Sequence, residues 1–413
     1  MAKTLYIIGG GASGFFCAVN AARLYPDLRV VILEKSAKLL SKVKVSGGGR
    51  CNVTHACFDI AEMARRYPRG GNFVKKIFHE FFTSDTINWF EERGVQLKTE
   101  ADGRMFPVSD SSQTIIDCLL NEAGRYGVTI RMQEAVTGIR KTAAGFEIET
   151  AKGTVFHSDY VCVACGGFPK AEQFEWLRNL GHTIAVPVPS LFTFNSPQHP
   201  LTELMGVSVT EARVAVAGTK LHQRGALLVT HWGISGPAVL RLSAWAARDL
   251  AGQEWTFTAI INWLPELSET ELRERFVTWR SEKAAQKIGN KNPLELPGRL
   301  WLFLLTRSGI DEHRRWADLP SKNQNLLIRN LLAFELPVKG KTTYKEEFVT
   351  AGGITLAEVE PQTMMSRKIP GLFFTGEVID VDGITGGYNF QNAWSTGFIA
   401  ARSAGQLASA PSF

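Results

Sequence analysis

Cysteine is scarce in this chain, six among 413 residues. That scarcity excludes a disulfide-stapled scaffold and points to a reducing compartment. Long apolar runs are also missing. The most apolar stretches, such as Tyr160 to Ala164 and Leu300 to Leu305, fall far short of the roughly 18 residues that a membrane span requires. Only eight residues precede the first glycine-rich turn, which leaves no room for a signal peptide. The expectation is a cytoplasmic protein without membrane contact and without a metal site. Excess charge is small: +6, with 45% apolar and 21% charged residues, an ordinary balance for a globular protein of two or three domains. All of that excess lies in the middle. Residues 191 to 345 carry 20 Lys and Arg against 14 Asp and Glu, while the remainder carries 26 of each.

Cys162-Val-Ala-Cys165 is formally a C-x-x-C, yet it sits in the apolar run Tyr160-Val-Cys-Val-Ala-Cys-Gly-Gly. Strand alternation points residues three apart to opposite faces, so these thiols diverge and no redox dithiol is expected there. Cys51 and Cys57, six apart, form a second candidate pair. Such a pair needs close Cα atoms and a nucleophilic thiolate.

What is present begins at the amino terminus. Thr4 to Ile8 is a short apolar run suited to a buried parallel strand. Gly9-Gly-Gly11-Ala-Ser-Gly14 follows at once, then a small-residue helix over Phe15 to Leu24, then a second strand, Leu28 to Leu33, ending at Glu34. Gly9 permits the tight turn, Gly11 lets the backbone approach a pyrophosphate, and Gly14 lets the helix pack on the strand. The helix N-terminus offers N–H groups to phosphate, and Glu34 stands where a ribose hydroxyl would donate. Strand, turn, helix, strand and acid in this order predict a Rossmann-like dinucleotide-binding α/β domain.

Three further segments select FAD over NAD. Lys42-Val-Lys-Val-Ser-Gly-Gly-Gly-Arg-Cys-Asn-Val-Thr54 offers a glycine stretch that can lie flat on a planar ligand, with Lys42, Lys44 and Arg50 to neutralise phosphate. An expected β-meander (Val136 to Lys141, Phe146 to Thr150, Thr154 to Phe156) returns to the strand ending in Cys165-Gly-Gly167. Near the carboxyl end, the strand-like Gly371 to Thr375 runs into Gly376-Glu377, and Gly386-Gly387 opens a helix over Tyr388 to about Ala404. A helix N-terminus placed there stabilises negative charge arriving on the flavin pyrimidine. There is no second G-x-G-x-x-G unit, so NAD(P)H is expected only as a transient electron donor.

Together Gly9-x-Gly-x-x-Gly14, Ser46-Gly-Gly-Gly-Arg-Cys-Asn52, Thr350-Ala-Gly-Gly-Ile354 and Gly376-Glu-Val-Ile-Asp-Val-Asp-Gly-x-Thr-Gly-Gly-Tyr-Asn389 resemble the bacterial BaiN/RdsA (YhiN-like) flavoproteins. The resemblance implies a discontinuous FAD domain (1–190 and 346–413), a β-barrel-like insert (191–266 and 336–345) and a helical subdomain (267–335). Strands are expected at Val207 to Val216 and Ala226 to Thr230, and helices at Glu269 to Lys287, Pro293 to Leu305 and Ser321 to Phe334. Leu336-Pro-Val-Lys-Gly340 is expected to turn the chain back to a strand near Phe348. One departure is visible: Gly166-Gly-Phe-Pro-Lys170 passes quickly into a helix at Ala171 to Leu180, where many members carry a longer Ser/Pro/Gly-rich segment. Substrate assignments made on those members transfer poorly.

On motif and resemblance, the expected FAD contacts are Gly9, Gly11, Ala12, Ser13 and Gly14 in the first turn, then Glu34, Lys35, Lys42, Gly48, Arg50, Cys51 and Asn52. Val136, Ala164, Cys165 and Gly166 follow at the meander strand, and Gly376, Glu377, Asp382, Gly387, Tyr388, Asn389 and Phe390 near the end. The implied activity is hydride transfer through flavin N5 to an activated carbon–carbon double bond, in ribosomal RNA uridine or an enone-like small molecule, with no DNA partner. The alternatives are a flavin oxidase or reductase of another small molecule, or a non-catalytic FAD-binding protein. Such chemistry needs a proton donor, for which Tyr388, Cys51 and His231 are the candidates. Each also has a structural reading as a stacked, packed or turn residue. Arg241, Arg248, Arg273, Arg275, Arg280, Arg314, Arg315 and the run Lys339 to Lys345 are expected on solvent faces, where they can track RNA phosphates. The sequence leaves the oligomeric state open.

Overall fold

The structure, a computed structural model, describes residues 2–342 and 349–410. It divides the chain into Met1–Ser190 with Tyr344–Phe413, and Leu191–Thr343.

In the first unit the opening apolar run forms β1 (Thr4–Ile8), and its position explains its composition. It lies at the centre of a five-stranded parallel sheet in the order Leu372–Phe374, Tyr160–Val163, β1, β2 (Arg29–Glu34) and Thr129–Met132. A parallel strand covered on both faces needs a continuous apolar run, and Leu5 and Ile7 have no exposed surface. α1 (Ala12–Leu24) packs on β1 and β2 and along the closing helix, Tyr388–Ser409. These two helices approach so closely that a Cβ on Gly397 would stand 2.7 Å from the Ser13 carbonyl oxygen. The antiparallel meander is present as Val136–Thr142, Gly145–Thr150 and Val155–Ser158, and it leads into Tyr160–Val163. The sheet is that of a Rossmann-type domain.

The second unit holds a seven-stranded antiparallel sheet: Phe334–Lys339, Thr256–Asn262, Ser208–Val216, His222–Thr230, Gly233–Ser235, Thr193–Asn195, Lys341–Thr342. Its two ends are consecutive in the chain, joined through Gly340. Helices Glu269–Glu282, Gly298–Arg307 and Ser321–Leu332 share one hydrophobic cluster with the strands, so that Leu272, Trp301 and Leu331 join Val214 and Ala259.

Several local expectations change. The helix expected to Lys287 stops at Glu282, because the chain beyond it pairs sideways. Ile288 N–H donates to Arg314 O at 2.8 Å and Gly289 N–H to Glu312 O at 2.9 Å. The helix expected from Pro293 starts at Gly298, after a turn in which the Asn292 side chain bonds Leu294 and Leu296. Leu336-Pro-Val is part of an edge strand rather than a turn, where Pro337 costs no ladder bond on its open side. Phe348 and Lys345 lie outside the described residues, and the return strand is seen as Val349–Ile354. The stretch Ser46 to Gly49, expected to lie flat, closes a helix over Ser41–Gly49 that kinks at Ser46 into left-handed Gly47 and Gly48.

Candidate functional site

The G-x-G-x-x-G turn separates its glycines by function. A Cβ on Gly9 would meet Ala164 O at 2.5 Å, and one on Gly14 would meet Gly9 O at 2.0 Å, so both are required by close packing. A Cβ on Gly11 would meet nothing within 4 Å. The turn is therefore open at the position where a pyrophosphate passes in dinucleotide-binding folds. Gly11 caps α1 with no side-chain bond, and Phe15 N–H to Gly11 O (3.0 Å) is the first bond of the helix. The N–H groups of Ala12, Ser13 and Gly14 have no intrahelical acceptor. Glu34 accepts from Gly10 N–H at 2.7 Å and Ser36 N–H at 2.8 Å, one on each oxygen, which leaves each oxygen a second lone pair for a ribose. Lys35 lies over the Phe168 ring at 5.5 Å. Gly166 and Gly48, like Gly11, face open space, and buried Thr350 Oγ1, beside Gly167, has no partner among the described residues. Open glycines and a free helix end fit an extended polar ligand with a phosphate centre.

The other motifs converge on the closing helix. Asn52, with its amide oxygen toward that helix, accepts from Gly387 N–H at 2.9 Å and donates to Thr54 O at 2.9 Å. His55 Nδ1 bonds Gly386 O at 3.0 Å, Thr54 Oγ1 donates to Gln391 Oε1 at 2.6 Å, and Trp394 Nε1 donates to Val53 O at 2.9 Å. Gly387 is forced: a Cβ there would stand 2.5 Å from Thr54 O. The buried Tyr388 ring stacks on His55 (4.8 Å between centroids, 25°), and Tyr67 meets it edge-on at 6.1 Å. Tyr67 Oη donates to Tyr388 O at 2.6 Å, and burial raises the Tyr67 hydroxyl pKa well above its usual value.

Several expected ligand groups are committed elsewhere. Lys42 pairs with Glu377 at 2.7 Å, and Glu377 also accepts from Thr350 N–H at 2.8 Å. Arg50 pairs with Glu100 at 2.6 Å and lies over Phe106 at 4.0 Å. The Asn389 side chain spans Gly383, accepting from its N–H at 2.8 Å and donating to its O at 2.9 Å. Asp382 has no exposed surface and is held by Arg69 and by Ser190 Oγ at 2.9 Å. A carboxylate so enclosed ties the segment before the closing helix to Arg69 and Ser190.

Cys51 is fully buried and adopts φ 60°, and burial pushes its thiol up to about 12. All six cysteines are free thiols. Cys57 donates to Asp59 O at 3.5 Å, and Cys162 meets Thr375 Oγ1 at 3.6 Å while Cys165 bonds Gly166 O at 3.7 Å. His231 lies in the other unit, exposed and edge-on to Trp232 at 4.4 Å. His55, Tyr67 and Arg69 carry no signal in their sequence positions. Their partners lie tens to hundreds of residues away, and no spacing marks such contacts.

The turn at Gly11, the glycine loop at Gly48 and the capped closing helix belong to the class of FAD-dependent oxidoreductases built on a Rossmann domain. More narrowly, the chain belongs to the HI0933-like family: the family model described as "HI0933-like protein Rossmann domain" matches residues 3–403. It is 32% identical over 411 residues to the 3-dehydro-bile acid delta(4,6)-reductase of Clostridium scindens, covering 97% of this chain and 98% of that one. It is 33% identical over 410 residues to the ribosomal RNA dihydrouridine synthase of Escherichia coli, covering 96% of each. These are the BaiN/RdsA proteins that the motifs resemble. In fold it is similar to the 3-ketosteroid delta1-dehydrogenase of Sterolibacterium denitrificans (TM-score 0.52, 12% identity, 98% of this chain and 100% of that one). It is also similar to the 3-ketosteroid-delta4-(5alpha)-dehydrogenase of Rhodococcus jostii (TM-score 0.50, 13% identity, 97% of each). No helix among the described residues is long and apolar enough to cross a membrane.

Proposed function

We propose that this chain reduces a carbon–carbon double bond conjugated to a carbonyl, and that its substrate is a uracil base in ribosomal RNA. The observation that carries the reductase reading is the joining of residues 52–55 to the Gly386–Gly387 turn. It brings an anion-stabilising helix end beside the kinked glycine loop. When bound, FAD supplies hydride at N5 to the β-carbon of such a system. Gly11, Ala12, Ser13 and Gly14 would hold its pyrophosphate, and Glu34, with Lys35 beside it, its ribose. Val136, Ala164, Cys165 and Gly166 would line the adenine side. Gly48, Cys51, Asn52 and the helix end at Gly387, Tyr388 and Phe390 would face the flavin ring. Tyr388, clamped between two rings, is the best-supported proton donor. The Cys51 thiol, held near 12, stays protonated at neutral pH and is a weaker acid than an ordinary cysteine.

RNA is favoured by the confinement of the whole +6 to residues 191–345. The 32%-identical bile acid reductase favours the second reading, an enone-like small molecule. In the same reading residues 191–266 with 336–345 close as a barrel-like insert and 267–335 form its helical piece, NAD(P)H is the transient donor, and the protein is cytoplasmic. The test is anaerobic flavin bleaching by NADH or NADPH, followed by reoxidation with unmodified ribosomal RNA or with small enones. Reoxidation by RNA alone supports the first reading, by enones alone the second. A protein whose flavin is bleached by no donor and reoxidised by neither substrate has no such activity.

A further inference from the structure

Two of the bonds that join residues 52–55 to the closing helix converge on a single peptide. The Gly386–Gly387 unit has its C=O bound by His55 Nδ1 at 3.0 Å and its N–H bound by Asn52 at 2.9 Å. A carbonyl oxygen only accepts, so His55 must carry a proton on Nδ1. Gly386 (φ 133°) and Gly387 (φ 93°) are in conformations that glycine alone adopts freely, and neither has a side chain to fix the plane of the peptide between them. Its orientation is therefore imposed from outside, by His55 at one end and Asn52 at the other. The same imidazole lies flat on the Tyr388 ring, the first helical residue after that peptide. The first intrahelical bond runs from Gln391 N–H to Gly387 O at 3.0 Å, so the N–H groups of Asn389 and Phe390 have no acceptor within the helix.

We propose that His55 is a positioning residue for the flavin-facing end of the closing helix. It sets the plane of the Gly386–Gly387 peptide, and with it the aim of the first-turn amides and the tilt of the Tyr388 ring. The inference rests on the reading above that this helix end meets the isoalloxazine. His55 acts by donation to Gly386 O and by stacking, and it touches the reacting atoms only through these neighbours. Its effect falls on the charged state of the cofactor: dipoles aimed at developing negative charge bind the two-electron-reduced form more tightly than the oxidised form.

The test compares His55→Ala, His55→Gln and His55→Phe. Gln can donate to Gly386 O without an aromatic face, whereas Phe can stack without donating. Anaerobic redox titration gives the ratio of affinities for reduced and oxidised FAD. Oxidised-FAD affinity and thermal stability are measured alongside. H55A and H55F are expected to lower the ratio about tenfold, a fall of about 30 mV in a two-electron midpoint potential. H55Q should stay within about threefold of the parent, and oxidised-FAD affinity should change little in all three. An unchanged ratio in H55F would overturn the donor role. A fall in stability or oxidised-FAD affinity with the ratio unchanged would make His55 merely structural. Should H55A fail to accumulate, H55Q and H55F keep the side-chain bulk and carry the comparison. If the parent protein takes up no FAD, the functional reading fails instead, and that outcome is distinct from a parent that binds FAD with variants that match it.

Discussion

Gly11 and Gly14 stand three residues apart on one turn and answer to different demands. A side chain at Gly14 collides with Gly9 O, whereas a side chain at Gly11 enters open space. Gly14→Ala should therefore destabilise the protein with or without cofactor, by about 1–3 kcal/mol as an overpacked site, read as a fall in Tm. Gly11→Val should leave the cofactor-free Tm nearly unchanged and abolish retention of FAD on a desalting column. The spacing rule places both glycines, but only the local packing says which one guards the fold. Cys51 shows the opposite limit. Its motif marks it as near the flavin, while its lack of exposed surface and its thiol near 12 come from the fold around it. Alkylation of Cys51 by iodoacetamide at pH 8 should be at least about tenfold slower than that of a free cysteine, because only the thiolate attacks. Peptide mapping of native against unfolded protein checks this.

At the scale of elements, the strands and helices with strong local signals are the ones the sequence foretells. β1, α1 and β2 follow from an apolar run, a glycine turn and an acid within some thirty residues. The kinked helix at Ser41–Gly49 is not foretold, since three successive glycines give no periodicity and the kink depends on Gly47 resting against Phe106, 59 residues onward. Two ionic clusters, one buried and one part-buried, are equally invisible in the sequence. In the first, Arg69 and Ser190 hold Asp382, whose carboxyl burial keeps above its usual pKa despite the guanidinium. Arg69→Ala leaves that carboxyl buried without its cation, with only Ser190 to bond it, a loss of about 3–5 kcal/mol that chemical denaturation should register. In the second, His182 Nδ1 meets Glu358 at 2.8 Å, Ser366 Oγ meets His182 Nε2 at 3.2 Å, and Lys368 meets Glu358 at 2.7 Å. Burial pushes the Glu358 carboxyl up, but bonds from Lys368, Thr183 and His182 outweigh it and hold it at about 2. A carboxyl depressed on folding adds stability above its unfolded value of 4.5, and that stability is lost as pH falls toward 2. Glu358→Gln should flatten the acid limb of a Tm profile between those values and lower Tm at pH 7.

For the whole molecule, the arithmetic of charge is legible in the order of residues alone, since every excess cation lies between residues 191 and 345. The surroundings of those cations are not, because their partners are set by folding. Arg224, Arg273, Arg315 and Arg329 are each paired with a carboxylate, and the Lys341 pKa is lowered by burial beside Trp255. Lys287 and Arg315 lie directly opposite one another across a bridge and are both exposed. If RNA is the substrate, log K for ribosomal RNA fragments should fall linearly with log salt, with a slope of only about −2 to −4 for the few phosphates such a surface neutralises. A flat dependence in filter binding would remove RNA from consideration and leave the small-molecule reading.

The packing of the closing helix on α1 has a consequence for biosynthesis. Phe16 of the opening helix meets Trp394 at 5.2 Å, and Gly376 N–H donates to Thr396 Oγ1 at 2.9 Å. A ribosome emits the first of these aromatic faces some 380 residues before the second. During that interval the nascent opening segment has only its nearer aromatic partners, Phe81, Trp89 and Phe90, to cover the Phe16 face. The first unit is completed only once the closing helix, Tyr388–Ser409, has followed.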